Sequence, residues 1–395
     1  MVQDRSTGPP IRPSSTVEQN GFASTDPEKG HGAPSAFDSP NGRRTASHQA
    51  EEEQENEHEG DEVDEPPLER APSSARSQTV SQREEKTKTG SLLPLLSTIS
   101  LLIFATIWGV LARLGLLWIG GFAEGEVFSL IWAQMVGCLV MGLVVERKKG
   151  LEKLYAPLFV ACGTGFCGSL TTFSSWMHDV FVGFANIDQP ALGRFSGFFS
   201  GVTITIVTLG LSQASLTVGG HLSSFIPRIH VAPLRPTRAH LAFLTLGPLF
   251  WLGAIFLLAF GPHSWRHRAT FAIVLGPPGT LLRYYFSRRL NPLYPSLPLG
   301  TLAANTLAVL IFAMIALLQR TPDVSSTGCA ALQGVLDGFC GSLSTVSTFV
   351  VELRALGRRD SYRYFGVSWL LGQALMMVIL GSWLWSGDRG AVCSA

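Results

Sequence analysis

The chain has 395 residues, and its formal net charge of +1 conceals two unlike segments. Residues 1–90 hold 10 Lys+Arg and 18 Asp+Glu, a net charge of −8, whereas residues 91–395 hold 20 and 11, a net charge of +9. The chain carries six cysteines but no C-x-x-C pair, a pattern that predicts neither a disulfide framework nor a zinc site. We therefore interpret the two segments separately and take the cysteines as small buried hydrophobic residues.

Residues 1–90 are rich in Pro, Ser, Gly, Glu and Gln, and an acidic run extends from Glu51 to Glu65. Such a segment holds too few large apolar side chains to offset the entropy that is lost on ordering. We predict a disordered, acidic cytoplasmic tail; an acidic docking segment is the alternative. No basic stretch followed by a short apolar core begins at Met1, so we expect no cleaved signal peptide.

From Ser91 onward, apolar runs recur between short charged loops. A helix rises about 1.5 Å per residue, so about 20 apolar residues cross a hydrocarbon core of about 30 Å. The sequence predicts an all-α membrane protein with about nine spans, at residues 93–118, 127–145, 155–182, 192–219, 241–260, 269–289, 298–318, 328–353 and 363–385.

Lys and Arg residues are unevenly distributed over the loops between these runs. If the N-terminal tail is cytoplasmic, the cytoplasmic loops hold 13 Lys and Arg residues and the outside segments hold 5. Membrane proteins carry an excess of positive charge in their cytoplasmic loops. We therefore predict a cytoplasmic N-terminus and a C-terminus outside the cell.

A twelve-residue motif occurs twice, as GFCGSLTTFSSW at residues 165–176 and as GFCGSLSTVSTF at residues 338–349, 173 positions later. Arg113 and Arg283 each follow a glycine by four residues and lie 170 positions apart. Gln134 and Asn305, early in the second helix of each half, lie 171 positions apart. Nearly constant offsets across three helices indicate an internal duplication.

Spans one to four and six to nine are the two copies, and the fifth span is a linker without a polar signature of its own. A single intervening crossing inverts the second copy relative to the first, so we expect functional sites where the halves meet. The predicted segments are the tail at 1–90, a first four-helix unit at 91–222, a linker with one transmembrane helix at 223–265, a second four-helix unit at 266–388 and a C-terminal tail at 389–395.

Most polar side chains within the predicted spans are neutral hydrogen-bond donors, and no Asp or Glu lies deep inside a span. This pattern argues against a proton-coupled cation exporter and favours a passive pore whose donors replace the water shell of an anion. The candidates are Gln134, Thr171, Thr172, Ser174, Asn305, Ser344, Thr345, Ser347, Thr348, Tyr364 and Ser368. The alternative is that these Ser and Thr side chains only join helices.

The third helix of each half combines Gly-x-x-Gly with consecutive Ser and Thr residues, a pattern that can break a helix. Broken backbone at membrane depth requires protein or ion partners. A cation held by the freed carbonyls is one solution, and plain packing of small residues is the other. Arg113 and Arg283 either concentrate anions near an entrance or extend to the membrane surface.

These motifs resemble the fluoride channel family, Fluc or CrcB, and most closely its fused two-domain form in fungi. The resemblance covers roughly residues 95–385. It rests on Gly-x-x-x-Arg in the first helix of each half, Gly-Thr-Leu-x-x-Asn at 300–305 and the repeated third-helix motif. It implies antiparallel four-helix units, narrow fluoride pores and a central sodium ion, and therefore a transport protein and not an enzyme.

The resemblance also implies roles for single residues. The sodium ion would be bound by the backbone carbonyls of Gly168, Thr171, Gly341 and Ser344. The vestibules would contain Arg113 and Arg283. The residues that would line the anion path are Phe173, Phe349, Asn305, Thr172, Ser174, Thr345, Ser347, Tyr364 and Ser368. Tyr364 and Ser368 lie one turn apart, and Ser196 and Ser200 hold the same spacing in the first half.

The two halves depart from the family pattern in different ways. The second helix keeps Asn305 but carries Gln134 in the first half, and each third helix has lost a different phenylalanine. If each pore takes one phenylalanine from each half, Phe173 and Phe349 complete a single working pore. We expect alanine to abolish fluoride efflux at Asn305, Phe173 and Phe349. Alanine at the corresponding positions, Gln134, Trp176 and Val346, should not abolish it.

The implied function is passive, selective fluoride export across the plasma membrane. Hydrogen fluoride enters as a neutral acid, dissociates in the cytoplasm and leaves as the anion under a negative-inside potential. We expect fluoride and the lipid bilayer as partners, no nucleic acid, and a monomer that is a pseudo-dimer of its halves. A small multidrug-type carrier would need a glutamate in the first helix, and a degenerate scaffold would have lost Asn305 and the phenylalanines of both halves; neither describes this chain.

Overall fold

The computed structural model describes residues 73–121, 128–187, 193–227, 234, 236–262, 268–386 and 392–393. All of them belong to the second of two units of the chain, which spans Arg70–Ala395. Residues 1–72 of the predicted disordered tail lie outside the described residues. Of the predicted C-terminal tail at 389–395, only Val392 and Cys393 are described.

The first half contains six α-helices within the described ranges, and a π-helical segment at Ala161–Cys167 joins the third to the fourth. They are α1 (Ser73–Gly120), α2 (Leu130–Glu146), α3 (Lys148–Val160), α4 (Gly168–Leu170), α5 (Phe173–Ala185) and α6 (Arg194–Phe225). Helix α1 begins well before residue 91, where the tail was predicted to end. Residues 73–89 lack Gly and Pro and are rich in Gln, Glu, Lys and Arg, which favour the helical state.

Two short helices, α7 (Pro236–Leu244) and α8 (Leu246–Phe260), connect the halves and cover the predicted linker span. They pack against α1, where Ser100 Oγ donates to the Phe243 carbonyl at 2.6 Å and accepts from the Gly247 N–H at 2.9 Å. A Cβ atom on Gly247 would lie 2.0 Å from the Ser100 carbonyl oxygen, so only glycine permits this close approach. The linker is therefore held against the first half by polar contacts.

The second half repeats the order of the first. Its helices are α9 (Arg268–Leu290), α10 (Leu299–Leu318), α11 (Ser326–Gly334), α12 (Gly341–Leu343), α13 (Ser347–Ala355), α14 (Arg358–Met376) and α15 (Ser382–Trp385). A 3₁₀ turn lies at Asn291–Leu293, and π-helical segments lie at Val335–Cys340 and Met377–Gly381. The described ranges contain no β-strand, which confirms the all-α prediction.

Seven helices of the described chain are long and apolar enough to cross a membrane. They are Leu92–Gly120, Lys148–Ala185, Phe195–Phe225, Thr237–Phe260, Leu299–Leu318, Ser326–Ala355 and Arg358–Trp385. The other two predicted spans correspond to α2, which is apolar but has only 17 residues, and to α9, which carries four arginines in 23 residues. The protein is a multi-pass membrane protein, and the count of nine spans stays a prediction.

The third membrane helix of each half is interrupted at the repeated motif. In the first half, Thr171 and Thr172 are extended (φ −95°, ψ 150° and φ −142°, ψ 126°) between α4 and α5. In the second half, Ser344 is extended (φ −88°, ψ 161°) between α12 and α13. The predicted helix breaks are therefore confirmed in both copies.

The two halves share one apolar core around these breaks. Helix α5 of the first half packs against α10 and α14 of the second, and α13 of the second half packs against α2 and α6 of the first. The core includes Phe173, Trp176, Phe349 and Tyr364, all of which are buried. Each half therefore completes the packing of the other.

A disulfide bond joins Cys329, at the start of α11, to Cys393, 64 residues later. This corrects the expectation that every cysteine is a free buried thiol. The Cys393 N–H also donates to the Gln319 carbonyl at 2.8 Å, which fixes the C-terminal segment against the end of α10. Sequence spacing gave no indication of the pair because tertiary folding alone brings the two residues to a Cα separation of 5.9 Å. The other four cysteines, Cys138, Cys162, Cys167 and Cys340, are free thiols.

Candidate functional site at the paired helix breaks

The two breaks are capped by side chains that each half supplies to the other. Ser344 Oγ, in the second half, accepts hydrogen bonds from the backbone N–H groups of Phe173 and Ser174, each at 3.1 Å. Thr171 Oγ1, in the first half, accepts from the N–H of Ser347 at 3.0 Å. The exposed N–H groups at a helix start need such acceptors. Thr171 and Ser344 therefore act as reciprocal helix caps.

The amide side chains of the second helices make the same pair of bonds in both halves. Asn305 Nδ2 donates to the Thr345 carbonyl at 3.3 Å, and its Oδ1 accepts from the Thr345 N–H at 2.9 Å. Gln134 Nε2 donates to the Thr172 carbonyl at 2.7 Å, and its Oε1 accepts from the Thr172 N–H at 3.3 Å. We call these the amide clamps. Gln134 therefore makes the same backbone contacts as Asn305, and the transport difference expected between the two positions stays a prediction.

Arg283 of the second half reaches the break of the first half. Its Nη1 donates to the Gly168 carbonyl at 2.9 Å and, over a longer distance of 3.4 Å, to the Ser344 carbonyl. Its Nη2 donates to the Thr164 carbonyl. The side chain is 1% exposed. The resemblance implied a vestibule position, but the structure places this guanidinium at the break, because carbonyls released from a helix at membrane depth need donors.

Arg113 of the first half makes the reciprocal contacts in the second. It is also 1% exposed, and its Nη1 donates to the Gly341 carbonyl at 2.8 Å. Its Nη2 donates to the Asp337 carbonyl. The Asp337 carboxylate in turn accepts from Arg268 and, at 3.1 Å, from Gln333. The two buried arginines therefore cross-link the halves in opposite directions.

Four of the six hydroxyls predicted for the anion path form a network at the breaks with those of Thr171 and Ser344: Thr172, Ser174, Thr345 and Ser347. Thr172 Oγ1 lies 3.1 Å and Ser174 Oγ 3.0 Å from Ser344 Oγ. On the other side, Ser347 Oγ lies 3.0 Å from Thr171 Oγ1 and 3.3 Å from Thr345 Oγ1. All of these side chains are buried. The structure brings these predicted hydroxyls together, and it pairs them with one another.

The two phenylalanines predicted to flank the anion path are in contact. The Phe173 and Phe349 rings lie 5.4 Å apart with an interplanar angle of 67°. Phe349 also contacts Tyr364 at 5.0 Å, and Phe173 contacts Trp176 at 5.4 Å. Ring edges carry partial positive charge, so such a cluster presents edges as well as faces. Phe173 and Phe349 come from different halves, as the sequence-based pairing required.

Helix α14 places Tyr364 and Ser368 on the same side of this cluster, one turn apart. Tyr364 Oη donates to Glu352 Oε2 at 2.8 Å, and Glu352 Oε1 accepts from Thr301 at 2.6 Å and from Asn291 at 3.3 Å. The Ser368 hydroxyl is buried and has no hydrogen-bond partner in the described structure. Ser368 therefore keeps a free donor, whereas the Tyr364 hydroxyl is committed to a carboxylate.

Helix α6 carries a matching hydroxyl that the sequence-based assignment missed. Thr208 is buried, and its hydroxyl lacks a partner among the described residues, as Ser368 does. Ser196, assigned in its place together with the half-buried Ser200, is exposed. The missed signal is the Gln-Ala pair at 213–214, which recurs at 373–374 and aligns Thr208 with Ser368, 160 positions apart. The Trp176 indole N–H of the first half is also buried and lacks a hydrogen-bond partner among the described residues.

A cavity of about 280 Å³ reaches the first-half break and the buried Arg113. It is lined by Thr172 and Ser175 next to the break and by residues of both signs farther out: Arg268, Arg320, Asp179 and Asp337. The disulfide-bonded C-terminal segment contributes Val392 to the wall. Arg113 thus borders a cavity in addition to bonding the break, and its vestibule role stays a prediction.

The predicted sodium ligands are not available as a set. Arginine side chains already donate to the carbonyls of Gly168, Gly341 and Ser344, three of the four predicted ligands. The residues at the breaks therefore do not fit a sodium ion in this arrangement.

The chain is thus a multi-pass helical membrane protein built from two copies of one domain, whose broken helices meet at its centre. The family profile described as CrcB-like protein, Camphor Resistance (CrcB), matches residues 100–219 and again residues 270–382. The chain belongs to the CrcB family. The two matches coincide with the two halves and leave the linker helices between them.

The similar proteins include relatives that span both halves and relatives that span one. Fluoride export protein 1 of Neurospora crassa is 35% identical over 78% of this chain and 70% of its own length. Fluoride export protein 1 of Candida albicans is 33% identical over 76% and 82%. The fluoride-specific ion channel FluC of Chromobacterium violaceum is 36% identical over 30% of this chain and 96% of its own length. No solved structure matches the chain significantly.

Proposed function

We propose that this protein is a fluoride-selective, passive anion channel that exports cytoplasmic fluoride across the plasma membrane. The observation that carries the proposal is the similarity, across both halves, to proteins named fluoride export protein. The bacterial relative named as a fluoride-specific ion channel is similar to a single half, which supports a channel made of two such units. The expected partners are fluoride and the bilayer, and the two halves of one chain would suffice.

We infer a topology in which nine helices cross the membrane and the linker inverts the second half relative to the first. The N-terminus is then cytoplasmic and the C-terminus lies outside. The Cys329–Cys393 disulfide supports this orientation, because both residues fall at the outer face and disulfides persist in oxidising compartments. The reciprocal caps and arginine contacts are also what two related units packed in opposite directions would exchange.

The proposed pore runs beside α14 and uses residues of both halves. Its aromatic pair is Phe173 and Phe349, and its unpartnered donor is Ser368. Two further residues are placed along the same path by hydrogen bonds: Tyr364 donates to Glu352, and Asn305 donates to the Thr345 carbonyl. At the corresponding positions of the other pore, Val346 of the second half and Trp176 of the first half replace the aromatic pair. One working pore is therefore the arrangement that we propose.

Passive flow suffices for export. A unit charge gains about 2.3 kcal/mol for each 100 mV of membrane potential, so a negative interior drives fluoride out without a coupled proton. Hydrogen fluoride that enters from an acidic exterior dissociates in the cytoplasm and supplies the anion. The channel must then reject chloride, because chloride would follow the same potential.

The test is fluoride efflux from liposomes that contain the purified full-length protein. Valinomycin and a potassium gradient set the voltage, and fluoride and chloride electrodes read the two anions. We expect rapid fluoride release, stopped by reversing the voltage, with chloride release no faster than from empty liposomes. Efflux that depends on a pH gradient would contradict the passive mechanism, and equal chloride release would contradict the selectivity.

A further inference from the structure

Both helix breaks at the centre of the protein have a guanidinium group lying against them. Arg283 Nη1 is within 3.4 Å of two carbonyls that come from different halves, those of Gly168 and Ser344. Arg113 Nη1 holds the equivalent Gly341 carbonyl at 2.8 Å. The positive charge at this centre is therefore already supplied by the chain.

The glycines of the motif are what allow this approach. A Cβ atom on Gly168 would lie 2.4 Å from Arg283 Nη2, and a Cβ atom on Gly341 would lie 2.4 Å from Arg113 Nη2. Each guanidinium group thus occupies the space that a side chain at the glycine position would need. Any other residue type at these two positions would displace the arginine.

Charge and donor number favour the arginines over an ion at the same carbonyls. A guanidinium carries five N–H donors in a planar fork and stays charged, so one side chain satisfies several carbonyls. Arg283 uses its fork on Gly168, Thr164 and Ser344. A sodium ion bound here would be a third positive charge beside two buried ones, in a region of low dielectric where like charges repel strongly.

We propose that the Arg113 and Arg283 guanidinium groups take the place of a central cation, so that this protein is stable without bound sodium. The two arginines neutralise the carbonyls freed by the breaks and link each half to the other. This inference concerns the centre of the fold and holds whichever anion the protein transports. It predicts a chain whose stability does not respond to sodium.

The direct test is elemental analysis of the purified full-length protein after exchange into sodium-free buffer. Atomic emission then detects any trapped ion, and equilibrium dialysis with ²²Na⁺ detects any exchangeable one. We expect well below one sodium per chain in both measurements and the same Tm in sodium, potassium or N-methylglucamine buffer of equal ionic strength. One sodium per chain, or a Tm raised by sodium alone, would overturn the proposal.

A pair of variants sharpens the test. Arg283→Gln removes the charge and leaves the carbonyls, so we expect a lower Tm that sodium raises more than potassium does. Arg288→Gln on the same helix removes an exposed arginine and should leave Tm unchanged and independent of sodium. An Arg283→Gln protein with wild-type Tm would count against the proposal. If this variant does not fold, the sodium content of the wild-type protein decides alone.

Discussion

The two halves are alike at the helix breaks and unlike around them. Both carry an amide clamp, a cap for the other half and a buried arginine that reaches the other half. Around the breaks, Phe173 corresponds to Val346 and Trp176 to Phe349. Glu352, which binds Tyr364, corresponds to Asp179, which lies 3.5 Å from His178.

This difference shows which parts of the duplicated domain are interdependent. A cap or an arginine that serves the opposite half cannot change without leaving polar groups of that half unsatisfied, and buried polar groups without partners are costly. Side chains that only line a path carry no such constraint. The shared features are therefore expected to govern folding, and the divergent ones to govern transport.

The largest effect is expected at the divergent aromatic positions. Phe173→Ala and Phe349→Ala should reduce fluoride efflux from liposomes to the level of empty liposomes, because each removes one member of the contacting pair. Val346→Ala and Trp176→Ala, at the corresponding positions of the other pore, should retain most of the efflux. Similar losses of efflux at all four positions, in proteins of equal Tm, would mean that both pores conduct and that the proposed difference in transport is absent.

The disulfide is the next difference to test, since the bond links only second-half and C-terminal residues. Cys393→Ser should lower the free energy of unfolding by about 2–4 kcal/mol, because the bond restricts the unfolded chain. A reductant should lower the Tm of the wild-type protein to that of the Cys393→Ser variant. The control is Cys162→Ser, which removes a free thiol: its Tm should equal that of the wild type and should fall by the same amount when the reductant is added. Loss of the bond when an impermeant reductant is added to intact cells would place it outside, and protection there would contradict the proposed orientation.

The amide clamps test the likeness of the two halves. Asn305→Ala and Gln134→Ala should each lower the free energy of unfolding by about 1–3 kcal/mol, because each leaves a buried peptide group without its partner. Chemical or thermal unfolding of the two variants in the same detergent gives the comparison. A Gln134→Ala protein as stable as the wild type would show that the first-half clamp does not stabilise the fold. Fluoride efflux from liposomes tests the separate, sequence-based expectation that this variant still conducts.

The smallest effect is expected for the caps. Thr171→Ala and Ser344→Ala should each cost about 0.5–2 kcal/mol, the usual range for a helix cap. The loss should appear in the opposite half, so hydrogen exchange should quicken at the start of α13 in Thr171→Ala and at the start of α5 in Ser344→Ala. Thr171→Ser keeps the hydroxyl and should behave as the wild type. Faster exchange confined to the mutated half would show that the caps do not act across the interface.

The class of the protein, the duplication and the location of both helix breaks could be predicted from the sequence. These depend on local properties: the length of apolar runs, the constant offset between the copies, and Gly next to Ser and Thr. The sequence also paired Phe173 with Phe349, because each half had lost the complementary ring. It missed Thr208, although the repeated Gln-Ala pair would have aligned that residue with Ser368.

The partners of the long side chains, and of residues far apart along the chain, could be identified only from the folded arrangement. Nothing in the local sequence shows that Arg283 bonds carbonyls of the opposite half, that Thr171 caps α13, or that Cys329 meets Cys393. The structure likewise shows that Gln134 and Asn305, which the sequence had aligned, make the same contacts, because one extra methylene still reaches the equivalent peptide group. Buried polar groups take their partners from whatever the fold brings within about 3 Å, and those partners lie far away along the chain.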